Sequence, residues 1–368
     1  MNTKLRVGIL FGGKSAEHEV SLQSAKNVVE AIDEEKYEVV LIGIDKQGRW
    51  YLNEASNFLL HAENPKLIAL NKASENVALV TGKSGKRELV SLSDNRDLGP
   101  VDVVFPILHG TFGEDGTMQG LLKLANVPFV GASVLGSAVG MDKDVMKRLL
   151  RDAGIPNADF VVQHDSTAEE IDFESVKKQL GLPLFIKPAN LGSSVGIHKV
   201  SDAEQFQLGV ADALQYDSKI IIEEAIVGRE IECSVLGNED PIASLPGEII
   251  PHHEFYSYEA KYIDEHGAGL EIPAKLPNDR VRKIQELAVK AYKVLCCEGM
   301  ARMDFFLREN GDILINEINT IPGFTRISMY PKLWEVSGIS YTELIDRLIQ
   351  LAIDRFEKQS TLKTVVEF

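Results

Sequence analysis

Two nearly unbroken runs of aliphatic and aromatic residues, LRVGILF at 5–11 and VDVVFPIL at 101–108, constrain the fold more than any other feature. A strand with water on one face alternates apolar and polar residues, whereas a strand apolar throughout must be covered on both. A third run, YEVVLIGI at 37–44, has the same character. Between the first and third lies a helical repeat at 19–32, with Val20, Ala25, Val28, Val29 and Ile32 apolar, reached through Gly12-Gly13. Such strands alternating with helices predict an α/β fold that opens with a parallel, Rossmann-like sheet. The polar, weakly periodic stretch 53–98 is expected to be a meandering insertion.

After a predicted helix at 141–153 (MDKDVMKRLLRDA), closed by Gly154 and Pro156, the pattern changes. Strands now come in pairs joined by tight turns: LPLFIKPA with VGIHKV, and MARMDFFL with DILINEIN. Paired strands indicate antiparallel sheets. KIIIEEAI at 219–226 is expected to lead into a third unit, and 341–356 to form a last amphipathic helix. The expected division is 1–135, 136–224 and 225–368, two α+β units following the parallel sheet.

A formal charge of −16 argues against a nucleic-acid partner, because neutralising phosphates requires a basic surface. No apolar run approaches the ~18 residues of a membrane span, and the first residues do not read as a signal peptide, so a cytoplasmic location is expected. Cys233, Cys296 and Cys297 have neither the number nor the spacing of a disulfide framework or zinc site.

The hairpin at 300–319 carries distinctive chemistry. Asn310-Gly311 favours a two-residue type I′ turn, which would pair Glu309 with Asp312, Asp304 with Glu317 and Arg302 with Asn319. A side-chain period of two then puts the last four on one face. Carboxylates directly across a ladder repel each other. A divalent cation would remove that repulsion, and Asp304, Glu317 and Asn319 form an all-oxygen set suited to Mg²⁺. The competing reading is a solvated face whose acids pair with arginines. Gly323, in the segment that follows, can bring a backbone N–H close to a reacting group.

KPANLGSSVG at 187–196 lies between two strands. Its glycines, Ser193 and Ser194 make a loop able to surround phosphate oxygens, with Lys187 adding charge. It is not a P-loop, since G-x-x-x-x-G-K-[ST] is absent. Lys143 opens a helix, where a solvated lysine is the ordinary reading. Glu223 ends an apolar run, an unusual place for a carboxylate, and suggests a contact to a ribose hydroxyl or an adenine amine. GGKSAEHE at 12–19 stands where a dinucleotide fingerprint would, but lacks the third glycine and a suitably spaced acid. Helix capping alone accounts for Glu17 and Glu19. His109, closing a parallel strand, reads equally as a site residue or a satisfied structural histidine.

Seven motifs in order run through nearly the whole chain: FGGKSAEHEVSLQSA, LHGTFGEDGTMQG, GMDKDVMKRLL, IKPANLGSSVG, EAKYIDE, GMARMDFF and INEINTIPGFTRISMYP. Together they resemble the D-alanine–D-alanine ligases of the ATP-grasp superfamily. The resemblance implies three α/β domains, with ATP gripped between the central and C-terminal ones, and a homodimer acting on D-alanine and ATP in peptidoglycan synthesis. It implies that Lys143, Lys187, Ser193, Ser194, Glu223 and Lys261 contact ATP, Glu230 its ribose, and that Asp304, Glu317 and Asn319 hold two Mg²⁺ or Mn²⁺ ions. Glu17 matches the residue that holds the ammonium of the first D-alanine, with Ser193 and Tyr262 hydrogen-bonded to it. His109, Ser328 and Met329 fall among the substrate contacts, the last two at the carboxylate of the second D-alanine. Arg302 and the N–H of Gly323 correspond to stabilisers of the tetrahedral oxyanion, and 256–269 resembles a loop that closes over the site.

The implied reaction forms a D-alanyl phosphate from ATP, which the second amine then attacks. One departure is Glu224, where the family often has lysine. D-alanine–D-lactate ligases share most of these residues, and Tyr262 in Ala260-Lys261-Tyr262 favours the dipeptide. A non-catalytic ATP-binding module would have lost metal or oxyanion groups that are present here. A nicotinamide oxidoreductase depends on the N-terminal glycine turn alone.

Overall fold

The aliphatic runs form the expected parallel core. In the computed structural model, which describes residues 4–72, 75–81, 87–166, 171–251 and 268–363, Leu5–Gly12 pairs in parallel with Tyr37–Ile44 and with Val103–Ile107. Val7, Ile9, Leu10 and Phe11 are fully buried, as covering on both faces demands. Helix His18–Ala31 packs beside this sheet. Strands among the described residues of 53–98 extend this sheet rather than form an insertion. Trp50–Asn53, Glu75–Thr81, Arg87–Ser91 and Asp97–Pro100 continue the same sheet as antiparallel strands. In the 75–91 pair, Val77 and Leu89 are the buried hydrophobics, so the alternation that marks a strand is faint there.

The second sheet runs in the order Phe160–His164, Lys219–Glu224, Leu184–Pro188, His198–Val200, all antiparallel. Phe206 and Val210 of helix Ala203–Ala213 pack on Leu184, Ile186 and Ile222. The strand expected to lead into a third unit therefore lies inside this second sheet, paired on both edges. The predicted helix 141–153 divides at Asp142, whose extended backbone separates Val134–Met141 from Lys143–Asp152. The Asp142 carboxylate accepts from Val145 N at 3.1 Å, capping the second piece.

The third sheet contains Ala268–Glu271, Gly247–Pro251, Arg229–Gly237, Gly299–Leu307 and Ile313–Asn319, with Ile242–Ala243 beside it. Helix Asn278–Val294 covers it through Ile284, Ala288 and Tyr292, and Met146 and Leu150 of the 143–152 helix join that core. The last helix, Tyr341–Ser360, returns to the first sheet: Ile345, Leu348, Ile349 and Ala352 are buried with Val7, Ile9 and Phe105. Arg355 fixes this return by donating to Phe129 O at 2.7 Å and Gly131 O at 2.6 Å. Among the described residues no helix is long and apolar enough to cross a membrane. Cys233 and Cys297 are buried thiols and Cys296 is exposed.

Candidate functional site

The 300–319 hairpin reaches the expected register by an unexpected route. Gly311 N donates to Arg308 O, and Arg308 N to Asp312 O, both at 2.9 Å, and Gly311 has φ +88°. Arg308 thus faces Asp312 across a three-residue loop, not the two-residue turn the dipeptide suggested. Pairing near the loop is consequently displaced by one, with Leu307 opposite Ile313 and Phe305 opposite Ile315. A bulge at Asn316 absorbs the displacement, after which Asp304 faces Glu317 and Arg302 faces Asn319. The two irregularities cancel. Asn316, not anticipated, lines the same cavity as Glu317.

On the other side of this strand Glu232 faces Asp304, so three carboxylates stand in one row across three strands. Arg302 relieves them. Its Nε and Nη2 donate to Asp304 at 2.7 and 2.8 Å, and its Nε lies 2.8 Å from Glu232 Oε2. Asn319 Nδ2 donates to Asp304 Oδ2 at 3.0 Å. Asp304, Glu317 and Asn319 offer only oxygen ligands on one side of the sheet, a set that fits a hard divalent cation sharing phosphate oxygens.

Opposite stands a buried triad in which sequence reasoning named two members and missed the third. Glu223 is held between Lys147, at 2.7 Å, and Lys187, at 2.5 Å. Burial pushes the Glu223 carboxyl up, but the two ammonium groups outweigh it and hold it at about 2. Lys187 is raised in spite of its burial, through Glu223 first and then Glu317 and Glu230. Each Glu223 oxygen is paired with a lysine, and Glu223 also lines the cavity where a ribose or adenine contact was expected of it. Buried ammonium groups require a counter-charge. Lys147 follows Lys143 by one helical turn, the only sequence signal it carried. Lys143 Nζ donates to Leu191 O in the phosphate-loop segment. Glu224 binds Asp159 N at 3.0 Å and Arg308 at 3.3 Å, joining the second sheet to the hairpin.

A cavity of about 380 Å³ separates the triad from the hairpin, lined among others by Lys143, Lys187, Ser194, Glu223, Glu230 and Glu317. Its cover is the 192–196 loop, where Ser193 and Ser194 adopt φ +52° and +61°. Non-glycine residues rarely occupy that region, and consecutive cases cluster at ligand-clamping loops. The Ser193 hydroxyl donates to Glu17 Oε1, joining this cover to the N-terminal turn. Glu17 ends the loop before helix His18–Ala31 without capping it, and is buried against Gly110 and Gly192. A Cβ at Gly110 would come within 2.4 Å of Glu17 Oε2.

Glu114, a second carboxylate here, was not singled out from the sequence. It accepts from Gly110 N at 2.7 Å and Ile321 N at 3.0 Å, and burial together with Glu17 pushes its carboxyl up to about 8. His109 is buried between the N-terminal sheet and the 319–324 loop. Its ring nitrogens meet Ile321 O at 3.0 Å and Ser24 Oγ at 3.1 Å, and burial holds its imidazole down at about 4. It ties the N-terminal sheet to the 319–324 loop. In that loop a Cβ at Gly323 would lie 2.7 Å from Ser328 Oγ, so any larger residue would displace that hydroxyl. Ser328 Oγ in turn accepts from Thr325 N at 3.0 Å. The Met329 side chain is buried with Ile249 and Leu333, leaving its backbone at a helix start as what it can offer a ligand. Lys261, Tyr262 and most of 256–269 lie outside the described residues.

Residues 6–132 match the family described as D-ala D-ala ligase N-terminus, and 149–350 match D-ala D-ala ligase C-terminus. The chain is 60% identical over 361 residues to a D-alanine–D-alanine ligase of Oceanobacillus iheyensis, covering 98% of each. It is 61% identical over 363 residues to that of Shouchella clausii, covering 99% of this chain and 98% of the other. The solved structure of the D-alanine–D-alanine ligase from Coxiella burnetii superposes with a TM-score of 0.83 at 42% identity, covering 97% of this chain and 96% of that one. With two domain families matched in order and near-complete coverage at such identity, the chain belongs to the D-alanine–D-alanine ligase family and has its ATP-grasp fold.

Proposed function

We propose that this chain joins two D-alanines at the expense of ATP through a D-alanyl phosphate, in the cavity between the Lys147–Glu223–Lys187 triad and the 300–319 hairpin. The contact between Ser193 and Glu17 carries the reading, because it brings a carboxylate suited to an ammonium group against the cover of a phosphate cavity. ATP lies in that cavity with Lys143 and Lys187 on its phosphates, Ser193 and Ser194 in the covering loop, and Glu230 toward the ribose. Held by Asp304, Glu317 and Asn319, two Mg²⁺ or Mn²⁺ ions would neutralise phosphate charge and polarise the transferred group.

Glu17 receives the ammonium of the first D-alanine, supported by Ser193 and Tyr262. That substrate's carboxylate attacks the γ-phosphorus, releasing ADP and leaving an acyl phosphate, a far better acyl donor than the carboxylate. The second D-alanine, its carboxylate held by Ser328 and the Met329 backbone, attacks the acyl carbon through its free amine. Arg302 and the Gly323 N–H meet the oxyanion, and phosphate departs. Lys261 and Tyr262 belong to the covering segment, and the working form is a cytoplasmic homodimer.

ADP release measured with D-alanine and with L-alanine, followed by product analysis, tests this reading. D-alanyl-D-alanine with turnover confined to the D-isomer is expected, and equal turnover with both isomers would overturn it. With D-lactate supplied beside D-alanine, a D-lactate ester as the sole product would restore the depsipeptide alternative, which the 60–61% identical D-alanine–D-alanine ligases do not favour.

A further inference from the structure

Arg302 and Asp304 are assigned tasks that conflict in the geometry described. Arg302 is to meet an oxyanion and Asp304 a cation, yet each engages the other through two hydrogen bonds of 2.7 and 2.8 Å. A carboxylate whose two oxygens lie in a guanidinium fork has little left for a metal ion, and a cation placed there would repel the arginine. For both tasks to proceed, Arg302 must have somewhere else to put its charge. The third carboxylate of the row supplies it: Glu232 faces Asp304 across the ladder, is only 8% exposed, and lies 2.8 Å from Arg302 Nε.

We infer that Glu232 is a positioning residue that retains Arg302 beside the acyl centre when Asp304 turns to its cation. The inference rests on the proposed cation set. Glu232 does not join that set because the guanidinium stands between it and Asp304. Its charge balances Arg302 in both arrangements, so the exchange of Asp304 from arginine to cation leaves the part-buried guanidinium with a counter-ion. Without that charge, Arg302 stays on Asp304 and competes with the cation.

The test is calorimetric titration of a non-hydrolysable ATP analogue into the full chain at several Mg²⁺ concentrations, with no turnover required. Glu232→Gln is expected to raise the Mg²⁺ concentration for half-maximal nucleotide binding by about tenfold, less than the full loss of a buried partner because Arg302 keeps Asp304 as its counter-ion. Adding Arg302→Met removes the competitor, and the double variant is expected to regain wild-type Mg²⁺ dependence while remaining inactive in ligation. Glu232→Asp is expected to fall between. A Mg²⁺ dependence unchanged in Glu232→Gln would overturn the inference, as would a loss that Arg302→Met fails to rescue, since a purely structural role predicts that second pattern. Nucleotide binding indifferent to Mg²⁺ in the wild type would instead overturn the cation reading on which the inference stands.

Discussion

Replacing Glu223 by Gln removes the single anion between Lys147 and Lys187 while keeping the side chain's shape. The Glu223 carboxyl is held at about 2 against an ordinary 4.5. At ~1.36 kcal/mol for each tenfold change in proton affinity, that difference corresponds to about 3 kcal/mol favouring the charged form. Glu223 is only 2% exposed, so solvent screening removes little of it. The size agrees with the ~3–5 kcal/mol typical of breaking a buried pair by deleting one partner. Because the folded value lies below the unfolded one, the stabilisation is complete above about pH 4.5 and is lost as pH falls through about 2. Native-state hydrogen exchange at the Ile220, Ile221 and Ile222 amides reads this strand directly, whereas a whole-chain melt would mix several sheets. Protection in Glu223→Gln is expected to fall by about 3 kcal/mol at pH 7, with the difference from wild type shrinking toward zero near pH 2. A variant within ~0.5 kcal/mol of wild type at pH 7, or a difference that ignores pH, would refute the electrostatic account.

Glu317→Gln is expected to abolish phosphate release while circular dichroism stays unchanged, because one carboxylate of the proposed cation set is lost; retained ATP turnover would remove Glu317 from the site. His109, held at about 4 by burial, is neutral in the fold, so its contribution is intact above pH 6.5 and lost as pH falls toward 4. A stability–pH profile of His109→Gln is accordingly expected to be flatter between those limits, and a parallel profile would contradict this. Arg355→Met leaves the Phe129 and Gly131 carbonyls without their donor, and urea unfolding is expected to show a loss of about 2–4 kcal/mol. A loss below ~0.5 kcal/mol would mean that packing alone docks the last helix.

Local patterns were legible in the sequence and long-range partnerships were not. The parallel strands could be read because residues 5–11 and 101–108 are apolar throughout, and the Asp304–Glu317 pairing because a hairpin counts from its own turn. Even so, Asn310-Gly311 does not form the two-residue turn it suggests, and the compensating bulge at Asn316 preserves the register. Strands 75–81 and 87–91 escaped notice because a half-exposed sheet extension has little periodicity to read. Glu114, Lys147 and Glu232 look in the sequence like ordinary charged residues. Their significance comes from what folding brings opposite them: Ile321 for Glu114, Glu223 for Lys147 and Arg302 for Glu232. Glu223 was found for its odd setting, but its partners could not be read from neighbouring residues.

The seating of helix Tyr341–Ser360 on the first sheet bears on how the chain matures at the ribosome. The three parallel strands are complete once Val103–Ile107 emerges, but the helix that covers one of their apolar faces is made about 230 residues later, on the order of ten seconds or more at ordinary synthesis rates. During that interval Val7, Ile9 and Phe105 lack their final cover, and nascent chains stalled before residue 341 should bind apolar-seeking chaperones that release them once the helix docks.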